Sequence, residues 1–156
     1  MYIFKVNGKK YKIQYNYRAL MTTDVIDKLV EVGDVTQRED PAKMLKGIIG
    51  LTAEMLLAGL QANHKNDFGY DTEEEKNERI LDTLDLMDAF EAENTDEDGN
   101  CSEDAFTLFS KLQNELESVH FLSSMANSTR QVVEEQNATV VPMDHQAKKK
   151  KAGEKK

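Results

Sequence analysis

The dipeptide Asn7-Gly8 constrains the fold more than any other local feature of the chain. Before it, Tyr2, Phe4 and Val6 alternate with Ile3 and Lys5. After it, Tyr11, Ile13 and Tyr15 alternate with Lys10, Lys12 and Gln14. A two-residue hairpin loop needs positive φ at both central positions, which Asn and Gly tolerate best. The spacing therefore predicts a β-hairpin pairing Val6 with Lys9, Phe4 with Tyr11 and Tyr2 with Ile13. Paired residues share a face. Tyr2, Phe4, Val6, Tyr11 and Ile13 then form one aromatic face, opposite Lys5, Lys10, Lys12 and Gln14. A lone hairpin is marginal in water, so the apolar face must cover something. It can cover the chain's own helices, and an exposed strand edge is also open to pairing with another subunit.

Helical periodicity takes over after the hairpin. Asn16 is placed to cap a helix over 17–32, with Leu20, Met21, Val25, Leu29 and Val32 on one stripe and Gly33 at the stop. Asp40-Pro41 combines an N-cap residue with proline at the first helical position. It opens the most apolar segment, 42–64, whose Met44, Leu45, Ile48, Ile49, Leu51, Met55, Leu56, Leu57 and Leu60 face more than one side. That segment reads as a central helix or helix pair, with Gly47 and Gly50 as breaks or as close-packing sites. Residues 65–71 read as a loop. Thr72 and Glu75 form a capping box for a helix over 73–92, with Ile80, Leu81, Leu84, Met87 and Phe90 inward. After an acidic loop at 93–101, Ser102 is placed to cap a fourth helix. Its expected stripe is Ala105, Phe106, Phe109, Leu112, Leu116, Val119 and Leu122. The fold class is α+β and mostly α: an N-terminal hairpin, about four helices, and a disordered basic tail. The domain is expected over 1–126 and the Lys-rich tail over 127–156.

Charge divides the 156 residues into three. Residues 1–20 carry +5 and residues 148–156 carry +5, leaving −19 for the middle of a chain whose total is −9. An acidic body between two basic ends lacks the broad basic face of a nucleic-acid binder. It fits self-association or docking to a basic partner. No run approaches 18 apolar residues, so no membrane span is expected, and the N-terminus has no apolar stretch of signal-peptide length. A single cysteine, Cys101, excludes an internal disulfide and a multi-cysteine zinc site.

No active site assembles from the residues. The motifs G-x-x-x-x-G-K, G-x-G-x-x-G and G-x-S-x-G are absent. His64 and His120 have no partner at metal-ligand spacing. Cys101 lies beside acids, which disfavour its thiolate. Asp82, Asp85 and Asp88 recur at helical spacing, as a solvated face would. The loop at 94–102 is calcium-like in outline. Aligning Gly99 with the glycine of an EF-hand loop puts Asn94, Asp96, Asp98, Asn100 and Ser102 at ligand positions. Position 12, which needs a bidentate Glu, falls on Ala105, so the loop reads as a solvated turn. The chain is therefore read as a non-enzyme with no cofactor and no metal.

The run Lys148–Lys151 has a protein-level reading as a solubilising tail. It also has a gene-level one. If Lys148 ends in A and Lys149 is AAA, the message contains A-AAA-AAR. A tRNA pair could slip back one base there and re-pair, adding an extension in the −1 frame.

The opening MYIFKVNGKKYKIQYNYRAL, a hairpin running into a helix, resembles the tail assembly chaperones of long-tailed phages that infect Gram-positive bacteria. So does GLQANHKNDFGYDT (59–72), following an apolar helix, and so does the size of an acidic, mostly helical body. The likeness covers roughly residues 1–125. It implies a non-catalytic protein of the host cytoplasm, absent from the mature virion. Such proteins bind the tape measure protein, keep it soluble and help recruit tail tube subunits. Many also exist in a second form made by a −1 frameshift. The resemblance supplies no catalytic residues. The expected partners are the tape measure protein, the tail tube protein and further copies of the chain, with no nucleic acid and no membrane. Candidate contacts are Tyr2, Phe4, Tyr11 and Ile13 on the hairpin face, and Met44, Leu45, Ile48, Met55 and Leu56 on the apolar segment. Met21, Met44, Met55, Met87 and Met125 are adaptable side chains that suit either a client surface or an ordinary core. The competing readings are a small cytoplasmic adaptor that binds one partner through the hairpin, and a divergent calcium-binding helical protein.

Overall fold

Asn7 at φ 53° and Gly8 at φ 70° reverse the chain between β1 (Tyr2–Val6) and β2 (Lys9–Ile13). The computed structural model to which they belong describes residues 1–36, 40–119 and 124. The strands pair antiparallel in the expected register, Tyr2 with Ile13, Phe4 with Tyr11 and Val6 with Lys9. Phe4, Val6 and Ile13 are buried, Tyr2 and Tyr11 are half-buried, and Lys5, Lys10, Lys12 and Gln14 face solvent. The aromatic face thus covers the chain's own helices. The Phe4 ring lies 5.3 Å from Phe90, and Tyr11 meets His64 and Phe68 edge-on.

The outer edge of β2 is occupied. The Lys12 N–H donates to His64 Nε2 at 3.1 Å, and the Lys12 carbonyl accepts from Asn63 Nδ2. The Gln14 N–H donates to the Gly59 carbonyl at 3.1 Å. That edge, open to a second subunit on the sequence, is closed by the end of the central helix.

Six helices follow among the described residues: α1 (Tyr17–Thr22), α2 (Val25–Thr36), α3 (Pro41–Gln61), α4 (Lys65–Phe68), α5 (Glu73–Glu93) and α6 (Ala105–Glu117). Four expectations are corrected. The single helix over 17–32 is two, because Thr23 adopts extended backbone and its hydroxyl and N–H both return to the Ala19 carbonyl. Gly33 does not stop α2, which runs on to Thr36. The loop at 65–71 contains one helical turn, α4, which buries Phe68 against Tyr11. The cap of α6 is Asp104, whose side chain accepts from the Thr107 N–H, and not Ser102, whose hydroxyl donates to the Asn94 carbonyl. The buried row of α6 is Leu108, Leu112 and Leu116, while Phe106 is half-exposed.

The segment 42–64 resolves as one helix, starting at Pro41, with Asp40 accepting from the Ala42 and Lys43 N–H groups. Every residue from Leu51 to Leu60 is buried, and α5, α6, β2 and α1 pack around it. By length and composition alone α3 could cross a bilayer, but 56% of its most apolar window is buried within the fold. The capping box of α5 is present, with the Thr72 side chain bonding the Glu75 N–H and Glu75 bonding back. Inward on α5 are Lys76, Thr83, Met87 and Phe90, whereas Leu81 is exposed. Leu81 sits a helical step of about 100° away from the Ile80 row.

The hairpin reaches α3 closely because residue 59 is glycine. An added Cβ there would lie 2.5 Å from Ile13 Cγ2 and 3.4 Å from Tyr15 Cζ. The Tyr15 hydroxyl donates to the Met55 carbonyl at 2.8 Å one turn earlier. Residues 1–119 form one compact unit. The boundary at 126, the tail over 127–156 with Lys148–Lys151, Leu122 and Met125 lie outside the described residues.

Candidate functional site

The two halves of α3 differ in surroundings. Residues 51–60 form the core, while residues 41–46 are exposed and 47–50 at most half-buried. Among the described residues, α2 and α3 make the most extensive helix–helix contact. The outer side of this helical hairpin stays apolar. Ile26 and Val30 lie one turn apart on α2, and Leu45 and Ile49 one turn apart on α3, beside Met44. Val30 is 62% exposed and Leu45 47%. With Met21 and Tyr17 on α1, seven of the ten exposed large hydrophobic residues among those described fall between residues 17 and 49. Isolated exposed apolar residues need no explanation, but so many within one stretch of chain make α1 to α3 the candidate surface.

A buried charge cluster fixes the root of that hairpin. Lys76 on α5 bonds Asp24, which opens α2, and both lie near Glu54 in the core half of α3. Lys76 and Glu54 are buried, and Asp24 is half-exposed. Burial pushes the Glu54 carboxyl above its ordinary range against the lowering effect of Lys76; the Asp24 charge adds to the rise, and a hydrogen bond from the Asp24 backbone opposes it. Glu54 Oε2 has no hydrogen-bond partner. Burial opposes the charge on Lys76, but the Asp24 bond and the Glu54 charge outweigh it, and its pKa is raised. The Tyr70 hydroxyl donates to the Thr22 carbonyl at 2.7 Å and closes the same corner. The helices therefore meet at this corner through a defined set of polar contacts.

The acidic loop folds on itself. Asp96 Oδ1 accepts the Asp98 and Asn100 N–H groups at 3.0 and 2.8 Å, and these bonds hold its carboxyl below the usual range. Thr95 and Cys101 form an isolated bridge, and Gly99 takes φ 82°. Ala105, at the position where calcium would need a carboxylate, is the first residue of α6. Among the described residues no three His, Cys, Asp or Glu side chains converge as metal ligands would. A cleft of about 270 Å³ lies between the start of α1, the end of α3 and the chain at 69–71. Arg18, Lys65, Tyr70 and Asp71 are among its lining residues.

No family model, curated protein or solved structure matches the chain.

The residues expected to touch a partner separate into three groups. Met44 and Leu45 are exposed. Tyr2, Tyr11 and Ile48 are half-buried. Phe4, Ile13, Met55 and Leu56 are fully buried in the chain's own core, so a partner reaches them only if the fold opens. Ile26 and Val30, which flank the exposed face, were not among the candidates. Their signal is present in the sequence as a second i, i+4 apolar pair on α2, out of phase with Val25 and Leu29.

Proposed function

We propose that the chain is a non-catalytic tail assembly chaperone of the long-tailed phage type. In this reading it binds the tape measure protein in the host cytoplasm, keeps it soluble, helps recruit tail tube subunits and is left out of the virion. The reading starts from the likeness of residues 1–20 and 59–72 to that family. The observation that carries it further is the concentration of exposed apolar side chains on α1 to α3 beside a strongly acidic α5. A chaperone for a long hydrophobic helical client needs adaptable apolar surface together with charge that keeps the complex soluble. Met21 and Met44, both exposed, supply adaptable contact, whereas Met55 and Met87 belong to the core.

Co-expression with the tape measure protein tests the reading. The client should move from the pellet to the soluble fraction and co-purify with the chain. A client equally insoluble with and without the chain would sink the proposal. Sequencing the codons for Lys148–Lys151 tests the frameshift component, and an uninterrupted −1 frame should overlap them.

A further inference from the structure

We infer that α2 and the first half of α3 form the surface on which a second copy of the chain docks, each α2 lying against the other copy's α3. This deepens the self-association expected from the charge pattern and does not require the identity of the client.

Three observations converge on it. The exposed apolar pairs Ile26–Val30 and Leu45–Ile49 belong to two helices that already pack side by side. Two such helical hairpins laid face to face can pack as a four-helix bundle does. The second observation is the distribution of net charge. Residues 73–104, containing α5 and the acidic loop, sum to −12, whereas residues 17–50 sum to −1. Two copies approaching through α5 repel each other, and two approaching through α2 and α3 do not. The third is local complementarity. The exposed acids of α2, Asp27 and Glu31, form a row next to the Ile26–Val30 pair. The exposed lysines of α3, Lys43 and Lys46, flank Met44 and Leu45. A two-fold axis presents each surface to itself, so what contacts must be complementary within one chain. Acidic α2 on basic α3, repeated twice, meets that condition. Glu31 already lies 3.5 Å from Lys28, but this is an exposed pair and it exchanges partners at little cost.

Charge exchange tests the arrangement on the full chain. One variant carries Lys43→Glu with Lys46→Glu, and another carries Asp27→Lys with Glu31→Lys. Sedimentation equilibrium should find the unmodified chain self-associated and each variant weakened by at least about a hundredfold, since like charges then face each other. An equimolar mixture of the two variants should restore a one-to-one pair. Within each variant any strain between its own α2 and α3 is unchanged by mixing, so restoration reports contact between copies. A monomeric unmodified chain, or variants that associate as tightly as it does, overturns the inference. So does a mixture that stays monomeric while circular dichroism shows both variants helical. If either variant loses helicity, Val30→Ser with Leu45→Ser decides instead. Both sites are open to solvent, and the pair should give a folded monomer. A chain still self-associated after it refutes the surface. An unmodified chain that is monomeric yet solubilises the tape measure protein rejects this surface and leaves the proposed function standing. A self-associating chain that leaves the client insoluble does the reverse.

Discussion

Gly59→Ala and Gly50→Ala are the same substitution on one helix, and the structure gives them opposite signs. Both glycines lie in α3 with helical backbone, where alanine gains about 1 kcal/mol in helix propensity. Around Gly50 an added Cβ meets nothing within 4 Å, so that gain should appear almost undiminished. At Gly59 the same atom would lie 2.5 Å from Ile13 Cγ2. That methyl belongs to a fully buried, β-branched strand residue and cannot swing away. The hairpin would have to retreat, straining the Gln14–Gly59 bond and the Tyr15–Met55 bond at once. Overpacking of this kind costs about 1–3 kcal/mol. After the propensity gain, Gly59→Ala should destabilise the fold by up to about 2 kcal/mol. Urea unfolding followed by circular dichroism measures both. In an Ile13→Ala background the obstructing methyl is gone, and Gly59→Ala should turn from destabilising to stabilising. If Gly59→Ala stabilises the unmodified chain as much as Gly50→Ala does, the close approach described for the hairpin is wrong.

Other consequences are as direct. Glu54 has a folded pKa above its unfolded value, so its contribution to stability is present below about pH 4.5 and is lost as pH rises through the folded pKa. The stability of Glu54→Gln relative to the unmodified chain should therefore increase with pH across that interval, and a flat difference would contradict the buried setting. Burial, then Glu103, pushes Tyr2 up to about 12, so its contribution is intact below pH 10 and lost as pH rises through 12. Tyr2→Phe should blunt alkaline unfolding in that window, followed by tyrosinate absorbance. Gly8→Ala places a side chain at φ 70° and should cost about 1 kcal/mol with no change in packing, read as a shift in denaturation midpoint. Tyr15→Phe removes a buried hydroxyl bond to the Met55 carbonyl and should cost about 1 kcal/mol by the same measurement.

What the sequence discloses is what neighbouring residues decide among themselves. The Asn7-Gly8 turn, the Asp40-Pro41 start and the Thr72–Glu75 capping box are local chemistry, and each forms as read. Features that leave no local signal depend on distant partners. Nothing near Gly59 announces that Ile13 will press against it, 46 positions away. Lys76 stands among glutamates in the sequence, and its burial beside Asp24 and Glu54 comes from segments far along the chain. In α6 the expected stripe ran through Phe106, whereas packing against the rest of the chain turns Leu108 inward and leaves Phe106 half-exposed. The candidate surface was half legible. Met44 and Leu45 were chosen for being apolar, but apolarity alone does not separate them from Met55 and Leu56, which differ only in where the rest of the chain lies.

The division of α3 also sets how the chain opens. Amide hydrogens of residues 51–60 sit among buried neighbours on every side and can exchange with solvent only when the whole unit unfolds. Those of residues 41–50 lie in the half of the helix that is exposed or at most half-buried, and a local fluctuation suffices to release them. One continuous helix therefore holds two kinetic regimes joined near Gly50. The surface offered to partners can loosen and re-form many times within the lifetime of a single folded core.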